Sequence, residues 1–278
     1  MKTDTATALR SYLRGRVNVP ANLADLHDSY SAAKPFPHIC LDNLFPNELL
    51  EDLIVEAPGL AADQWLTFDQ DGLERTLRMR SALELGNAGS QFVSLLHSAA
   101  FLYLLSEITG IWQLLPDPYL QGGGHAMMRR GDFFGVHADR NIAYDTGMTR
   151  RLAMIVFLNK DWRSDYGGCL ELWNHEATRA EVTIEPVFNR TALFEVAYPN
   201  YHGVPQPLAC PPERTRNSFL VYYHTVGVNE GDRVTPHSSR FAPQFYRKRK
   251  SLVQRAAEQI APPFALNFAR KLWHGLLR

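Results

Sequence analysis

A histidine and an aspartate two residues apart, with a second histidine far along the chain, are the side chains best suited to chemistry. His137 and Asp139 flank Ala138, and His202 follows His137 by 65 residues. Side chains at positions i and i+2 of an extended segment project from the same face, so His137 and Asp139 can reach one metal ion. Two histidines and one carboxylate occupy one face of an octahedron and leave open positions opposite, which suits non-heme Fe(II) and oxygen chemistry. These three residues are the predicted metal ligands.

A second pair with the same spacing could bind an anion beside this metal. Arg216 and Ser218 lie at the start of an apolar segment that ends at Tyr223 and is typical of a strand. A guanidinium and a hydroxyl on one face of a strand form a fork for a carboxylate. Arg214 is a rival, because it lies two residues before Arg216 and would share its face in an extended chain. We favour Arg216, because Ser218 and the apolar strand follow it directly.

Length and composition are those of an ordinary globular protein. The 278 residues are 45% hydrophobic and 21% charged, with a formal net charge of +0, so we expect no nucleic-acid partner. The cysteines Cys40, Cys169 and Cys210 lack the paired spacing of a disulfide framework or a zinc ribbon, which fits a reducing compartment. Residues 1–16 show no apolar signal segment, and no stretch has the length of a membrane span. The expected location is cytoplasmic.

The elements that must position these residues change in type near residue 110. Before it, the apolar spacing predicts helices at 5–13, 46–55 and 90–108 and a strand at 35–41. After it, about eight short strands alternate with turn signals. One of them, 151–159, is apolar throughout, as expected of a strand buried on both faces. Short strands without intervening helices predict a jelly roll or small barrel.

We therefore divide the chain into three parts. Residues 1–110 form helices and a leading strand packed on the core, 111–228 form the strand-rich core, and 229–278 form a basic tail. From residue 246 onward there are eight basic residues and one acidic residue, so this segment carries +7 and the remainder −7. Residues 262–278 have apolar side chains every four positions and predict a basic amphipathic helix. It either packs on the barrel, which we prefer, or makes peripheral contact with an anionic membrane surface.

These motifs together resemble the Fe(II)- and 2-oxoglutarate-dependent oxygenases, in particular their prolyl 4-hydroxylase-like branch. The resemblance covers most of residues 35–225. The segments that carry it are Pro35-Phe36-Pro37-His38, Gly131-Asp132-Phe133-Phe134, His137-Ala138-Asp139, Arg151-Leu152, Leu158-Asn159, Gly167-Gly168-Cys169-Leu170-Glu171-Leu172, His202-Gly203-Val204 and Arg216-Asn217-Ser218.

The resemblance implies an α+β fold whose core is a double-stranded β-helix, with Fe(II) held by His137, Asp139 and His202. It implies 2-oxoglutarate as cosubstrate, bound through its far carboxylate by Arg216 beside Ser218, and ascorbate as a further candidate cofactor. The implied reaction consumes O2, releases succinate and carbon dioxide, and hydroxylates an unactivated C–H bond of a small-molecule or peptidyl substrate. Asp139 favours hydroxylation, because halogenating relatives carry a small residue in its place. The identity of the substrate is not indicated.

Two departures from the pattern of the family are visible. The 14 residues from His202 to Arg216 are more than is usual in this branch, and the extra residues are rich in proline, as in an inserted loop. Met127 stands where many relatives carry a tyrosine that contacts the cosubstrate. The candidate replacements for this phenol are Tyr119, Tyr144 and Tyr223.

Other functions fit part of the same pattern. Two histidines and a carboxylate also suit catalytic zinc, so a metallohydrolase or cupin-type isomerase at this site is the alternative function. Arg216 and Ser218 count against it, because a hydrolase has no evident need for a second carboxylate anchor. A non-enzymatic binding module is a third reading, which the complete triad disfavours. His125 and His175 are further candidate ligands, although a structural or exposed role is expected for both.

Overall fold

One antiparallel sheet that curls towards a barrel forms the centre of the structure. The computed structural model describes residues 2–57, 65–70, 73–79, 82–143, 146–226 and 237–243. Residues 1–242 form one unit and residues 243–278 a second one, and all of the second unit except Pro243 lies outside the described residues. The predicted helix at 262–278 and its membrane contact therefore stay predictions.

The sheet contains thirteen strands, counted over the described residues, and every pairing is antiparallel. The strands are β1 His38–Asp42, β2 Trp65–Gln70, β3 Glu74–Met79, β4 Leu115–Pro116, β5 Gly124–Met128, β6 Phe133–Ala138, β7 Thr149–Phe157, β8 Leu170–Trp173, β9 Ala180–Ile184, β10 Arg190–Glu195, β11 His202–Val204, β12 Arg216–Thr225 and β13 Arg240–Phe241. Their order is β1-β10-β7-β12-β5-β3-β6-β11-β8-β9, with β13 beside β6, β2 beside β3 and β4 beside β12. This topology agrees with the predicted α+β fold with a jelly-roll core.

Strands β7 and β12 separate two apolar layers. On β7, Met154 packs with the helical layer, whereas its neighbour Ala153 packs with the interior of the barrel. The predicted apolar run is thus buried on both faces, as expected. The same alternation places Tyr223 of β12 in the helical layer and Tyr222 in the interior of the barrel.

Helices supply the second layer, and their apolar side chains share one core with a face of β7 and β12. In the described part of the chain they are α1 Lys2–Tyr12, α2 Leu23–Ala32, α3 Asn47–Glu56, α4 Asn87–Leu96 and α5 Ala99–Thr109. None of these helices alone has the length and apolar composition of a membrane span. The bent pair α4 and α5, at 55° to each other, meets those two criteria only when both are counted together.

The single helix predicted at 90–108 is two helices, which corrects the sequence interpretation. Ser98 has extended backbone angles (φ −67°, ψ 147°), and its hydroxyl oxygen accepts a hydrogen bond from the backbone N–H of Phe101. That contact caps the start of α5 and ends the continuity of the helix. The apolar periodicity continues across the break because both helices bury side chains in the same core. Gly110 closes α5 in a left-handed conformation, as predicted.

Strands β2 and β3 are the largest feature that the sequence does not predict. Strand β3 lies between β5 and β6, with Arg78 opposite Ala126 and Glu74 opposite Phe134. Charged residues on both faces of β3 hide the alternation that usually marks a strand. Strands β1, β2 and β3, from the predicted segment 1–110, thus join the same sheet as the strands of the predicted core 111–228. The predicted boundary at 228 lies outside the described residues.

Phe92 on α4 connects the helices to the sheet. Its side chain is fully buried, and its ring lies edge-on to Phe45 at 5.0 Å and to Phe219 of β12 at 5.3 Å between centroids. Edge-to-face pairs add to the apolar burial of each ring. Phe92 is therefore a central contact between the helical layer and β12.

Replacing Phe92 by alanine should lower the free energy of unfolding by about 3–5 kcal/mol, because it removes a buried ring and leaves a cavity. Urea unfolding followed by circular dichroism measures this change. Val55→Ala is the matched control, since Val55 lies on α3 and is 78% exposed; its effect should stay within about 0.5 kcal/mol. Equal effects of the two substitutions would contradict the role given to Phe92.

Candidate metal centre

Two paired strands bring the predicted ligands together. His137 lies in β6 and His202 begins β11, and the two histidines are direct cross-strand partners. Such partners share one face of an antiparallel pair. Their ring centroids are 4.6 Å apart. Asp139 follows the last residue of β6. The pairing of the two strands thus brings together two histidines that are 65 positions apart in the sequence.

Gly203 permits the close approach of β11 to β6. A Cβ atom at this position would lie 2.9 Å from the carbonyl oxygens of both Gly135 and Phe134, which is closer than real Cβ contacts allow. Glycine within a strand is expected where another backbone approaches closely. A larger residue at position 203 would therefore push β11 away from β6 and displace His202.

The three side chains form one buried group. Their ligand atoms all lie within 4.8 Å of one another. Nε2 of His137 is 3.3 Å from Oδ1 of Asp139, and Nε2 of His202 is 3.6 Å from Oδ2 of Asp139. One metal ion between these atoms could be reached by all three, with two nitrogen ligands and one oxygen ligand on one side.

Backbone carbonyl groups orient both imidazoles. Nδ1 of His137 is 2.8 Å from the carbonyl oxygen of Gly135, and Nδ1 of His202 is 3.3 Å from that of Asn200. A carbonyl oxygen only accepts hydrogen bonds, so the proton lies on Nδ1 in each ring. The lone pair of Nε2 is then free to bind a metal, which is the usual arrangement of metal-binding histidines.

The carboxylate of Asp139 is ionised at neutral pH. Burial raises its pKa, but the neighbouring imidazoles of His202 and His137 outweigh burial and hold the pKa of Asp139 well below its usual range. Burial lowers the pKa of His137. A deprotonated carboxylate beside a neutral imidazole is the form that a metal ion requires of its ligands.

Arg216 lies on β12 with its guanidinium buried. Nε donates to the carbonyl oxygen of Gly168 at 2.6 Å, and the guanidinium carbon lies 5.1 Å from the ring centre of Phe157. Burial lowers the pKa of Arg216 to about 10, so the group remains charged at neutral pH. No carboxylate forms an ion pair with it in the part of the chain that the structure describes. Within the described residues, Arg216 is thus a buried cation that no carboxylate neutralises.

One cavity joins Arg216 to the triad. Its walls include both histidines, Asp139, Arg216 and Ser218, as well as apolar side chains of seven strands. Gly168 makes room for the guanidinium, because a Cβ atom there would lie 3.0 Å from Cδ of Arg216. Gly168 also has a φ of +78°, which few other residues adopt. The predicted anion fork and the predicted ligands thus face the same space.

Arg214 takes no part in this cavity. Its Nη2 donates to the carbonyl oxygen of Lys160 near the surface. The loop before β12 turns the two arginines to different environments, although their spacing suggests a shared face. The structure therefore places Arg216 and not Arg214 beside the triad, and binding of 2-oxoglutarate by Arg216 stays a prediction.

The additional candidate histidines lie elsewhere, as expected. His125 faces the helical layer, where Nε2 is 3.7 Å from a carboxylate oxygen of Glu56 and its ring lies edge-on to Phe219 at 4.9 Å. His175 is exposed in the turn after β8. Neither is near the ligand group.

The prediction that Tyr119 or Tyr223 contacts the cosubstrate is wrong. Tyr119 is 64% exposed, and the hydroxyl of Tyr223 donates to the carbonyl oxygen of Leu96 in the helical layer. Tyr144 lies outside the described residues. The phenol that lines the cavity is Tyr222, whose hydroxyl donates to Oδ2 of Asp139 at 3.0 Å. Burial and the charge of Asp139 raise the pKa of Tyr222, so the hydroxyl keeps its proton.

Strand β3 contributes polar side chains that sequence reasoning missed. Thr76 and Arg78 line the cavity. The guanidinium of Arg78 lies between the rings of Phe68 and Phe134, at 5.1 Å and 4.9 Å from their centres. Nη2 of Arg78 and the hydroxyl of Thr76 both donate to one carboxylate oxygen of Glu74, each at 2.6 Å. No motif points to these residues, because their strand is itself not predicted.

Residues 123–224 match the family model of the 2OG-Fe(II) oxygenase superfamily. The matched segment contains His137, Asp139, His202 and Arg216. No curated protein sequence matches the chain significantly. The segment that carries the site thus matches the family that the motifs predict.

Solved structures share the fold. A prolyl 4-hydroxylase from Pseudomonas putida is 19% identical, with a TM-score of 0.53, over 74% of this chain and 99% of that chain. A prolyl hydroxylase from Trichoplax adhaerens, in complex with a peptide fragment of the oxygen degradation domain of hypoxia inducible factor, is 17% identical, with a TM-score of 0.53, over 80% and 91%. HygX from Streptomyces hygroscopicus, with nickel, 2-oxoglutarate and hygromycin B bound, is 12% identical, with a TM-score of 0.51, over 81% and 99%. The predicted double-stranded β-helix fold is confirmed.

Two glycine substitutions should separate the metal centre from the anion fork. Gly203→Ala forces β11 away from β6 and should weaken Co(II) binding by about tenfold or more, since displaced ligand environments cost that much. Gly168→Ala displaces Arg216 instead and should leave Co(II) affinity within about twofold while weakening 2-oxoglutarate binding. Titration of the metal-free protein with Co(II), and then of the Co(II) protein with 2-oxoglutarate, measures both. Each variant is the control of the other, and identical profiles would contradict the assigned geometry.

Proposed function

We propose that this protein is an Fe(II)- and 2-oxoglutarate-dependent dioxygenase that hydroxylates an unactivated C–H bond, in which His137, Asp139 and His202 hold the iron and Arg216 holds the cosubstrate. The observation that carries the proposal is one cavity shared by a metal-ligand triad and a buried guanidinium that pairs with no carboxylate of the described residues. The family match at residues 123–224 supports the same chemistry.

The triad suits iron because it leaves coordination positions open. His137 and His202 offer Nε2 lone pairs and Asp139 offers one negative charge, so a divalent ion keeps a net positive charge when they bind it. That charge attracts an anionic chelator. Bound Fe(II) together with 2-oxoglutarate supplies the activation of O2 that hydroxylation requires, with release of succinate and carbon dioxide.

Arg216 and Ser218 provide the second anchor for a dicarboxylate. Desolvation of a guanidinium is costly unless an anion compensates it, and Arg216 has no carboxylate partner among the described residues. A planar guanidinium matches a carboxylate better than an ammonium group does. The hydroxyl of Ser218, on the same face of β12, is a further donor. A ligand that chelates the metal at one end and carries a carboxylate at the other satisfies both needs.

The remaining wall of the cavity is available to the substrate. Thr76 and Arg78 of β3 provide its polar groups. Phe134, whose ring is tilted against that of His137 with 3.9 Å between centroids, provides an apolar surface. A peptide fragment in the structure from Trichoplax adhaerens and hygromycin B in HygX support a peptidyl and a small-molecule substrate, respectively. A role for ascorbate stays a prediction.

The alternative of a metallohydrolase or isomerase explains less of the site. Such an enzyme would use the triad, but it would leave the cation of Arg216 buried without a function. The family model that matches residues 123–224 describes oxygenases and therefore also supports the oxygenase function over this alternative. The alternative therefore gives no reason for keeping Arg216 buried, although burying an uncompensated charge lowers stability.

Anaerobic reconstitution with Fe(II), followed by 2-oxoglutarate and air, should yield succinate even without the substrate, through uncoupled turnover. Asp139→Ala should abolish succinate formation, because the triad loses its only negative charge. Arg216→Ala should raise the KM for 2-oxoglutarate by about 10- to 100-fold, the range expected for a lost hydrogen bond to a charged group. Mass spectrometry of succinate measures both effects.

Arg214→Ala is the matched control for Arg216→Ala, because it removes the same side chain two residues away and outside the cavity. Its KM for 2-oxoglutarate should stay within about twofold of the unsubstituted protein. Absence of succinate from a protein that binds Fe(II) would reject the oxygenase function, and a larger effect at Arg214 would reject the choice of anchor.

A further inference from the structure

Tyr222 forms a hydrogen bond with only one of the two carboxylate oxygens of Asp139. Its hydroxyl donates to Oδ2 of Asp139 at 3.0 Å, and this oxygen is 3.6 Å from Nε2 of His202. Oδ1 of Asp139 is closer to a ligand histidine, at 3.3 Å from Nε2 of His137, and accepts no hydrogen bond from Tyr222. A carboxylate can bind a metal through one oxygen or through both. A hydrogen bond that occupies Oδ2 favours binding through Oδ1 alone, and the metal then keeps one more position for other ligands.

Arg150 holds the ring of Tyr222 in this orientation. The guanidinium carbon of Arg150 lies 3.6 Å from the ring centre, and Nη2 donates to the carbonyl oxygen of Gln121 at 2.9 Å. Arg150 is 2% exposed and forms no ion pair in the described part of the chain. A cation over the face of a phenol is attracted to the ring and draws electron density from it, which strengthens the O–H group as a donor.

We propose that Tyr222, held by Arg150, is a positioning residue that restricts Asp139 to one metal-binding oxygen and so keeps a coordination position open for the cosubstrate. The proposal rests on the proposed function only in naming that cosubstrate. Groups that orient a ligating carboxylate affect metal affinity although they do not touch the metal. Arg150 acts through Tyr222, because its guanidinium lies on the ring and does not line the cavity.

The neighbouring Tyr223 provides a matched control. Both tyrosines are buried on β12, and each donates one hydrogen bond, Tyr222 to Asp139 and Tyr223 to the backbone of Leu96. The alternation of the strand sends them to opposite faces. Tyr222→Phe and Tyr223→Phe therefore remove the same atom from the same strand, and only the first removes a contact with the metal centre.

Titration of the metal-free protein with Co(II), followed by visible absorption, tests the proposal without catalysis. Tyr222→Phe should weaken Co(II) binding by about tenfold and change the absorption bands of bound Co(II), because the carboxylate binds differently. Tyr223→Phe should leave the bands unchanged and the affinity within about twofold. Thermal unfolding of both variants shows that each is folded. Equal Co(II) affinities and identical spectra for the two variants would overturn the proposal.

Substitutions of Arg150 test whether it acts through Tyr222. Arg150→Met should shift Co(II) affinity in the same direction as Tyr222→Phe, and Arg150→Lys, which keeps the charge, should restore part of it. In the Tyr222→Phe background, Arg150→Met should add less than about twofold, because the hydroxyl that it orients is gone. If the fold-losses of Co(II) affinity of the two single variants multiply in the double variant, Arg150 does not act through Tyr222. Loss of succinate formation with the Co(II) results intact would reject the proposed function alone.

Discussion

The pairing of β6 with β11 is the constraint on which the site depends. It sets His137 opposite His202, and it does so only because Gly203 lets the carbonyl oxygens of Gly135 and Phe134 approach its Cα closely. The same carbonyl of Gly135 fixes the proton on Nδ1 of His137. Backbone geometry therefore determines the position of both histidines and the proton of at least one. Hydrogen bonds to the backbone orient both imidazole rings, so the register of the two strands decides where the candidate metal ligands lie.

The second constraint on the site is the free energy of burying charged side chains. Arg216 and Arg150 are buried cations without carboxylate partners in the described residues, and Asp139 is a buried anion between two histidines. Burying unpaired charge costs stability, so such groups persist where ligands or function compensate them. The anion that Arg216 lacks and the cation that Asp139 lacks correspond to the two components that an Fe(II)- and 2-oxoglutarate-dependent enzyme binds. The cavity thus offers a positive group for an anion, at Arg216, and a negative group for a cation, at Asp139.

Much of the site could be predicted from the sequence, because strand alternation is local. The spacing of His137 with Asp139, and of Arg216 with Ser218, defines a shared face before any tertiary structure is known. What could not be predicted depends on register and neighbours. Tyr222 and Tyr223 are chemically identical, and only the pairing of β12 with β7 decides which phenol enters the barrel. Arg214 and Arg216 share a predicted face that the preceding loop abolishes.

The fold shows the same division. The apolar run of β7 and the stripe of the helices were predictable because they are periodic. The break at Ser98 was not, since a single capping hydroxyl interrupts a helix without altering its apolar pattern. Strand β3 was missed because its alternation includes Glu74, Arg75 and Arg78, and charged residues within a sheet are disfavoured by propensity alone.

That omission matters most at the open side of the cavity. Arg78 is half-buried, whereas Arg216 is buried, so the β3 side of the cavity is closer to solvent than the β12 side. A ligand bound at Arg216 lies deeper than one that contacts Arg78. The Arg216 end of the cavity is therefore built from residues with a recognisable spacing. The Arg78 end is built from a strand whose place in the sheet is fixed by tertiary pairing, so no sequence motif marks its residues.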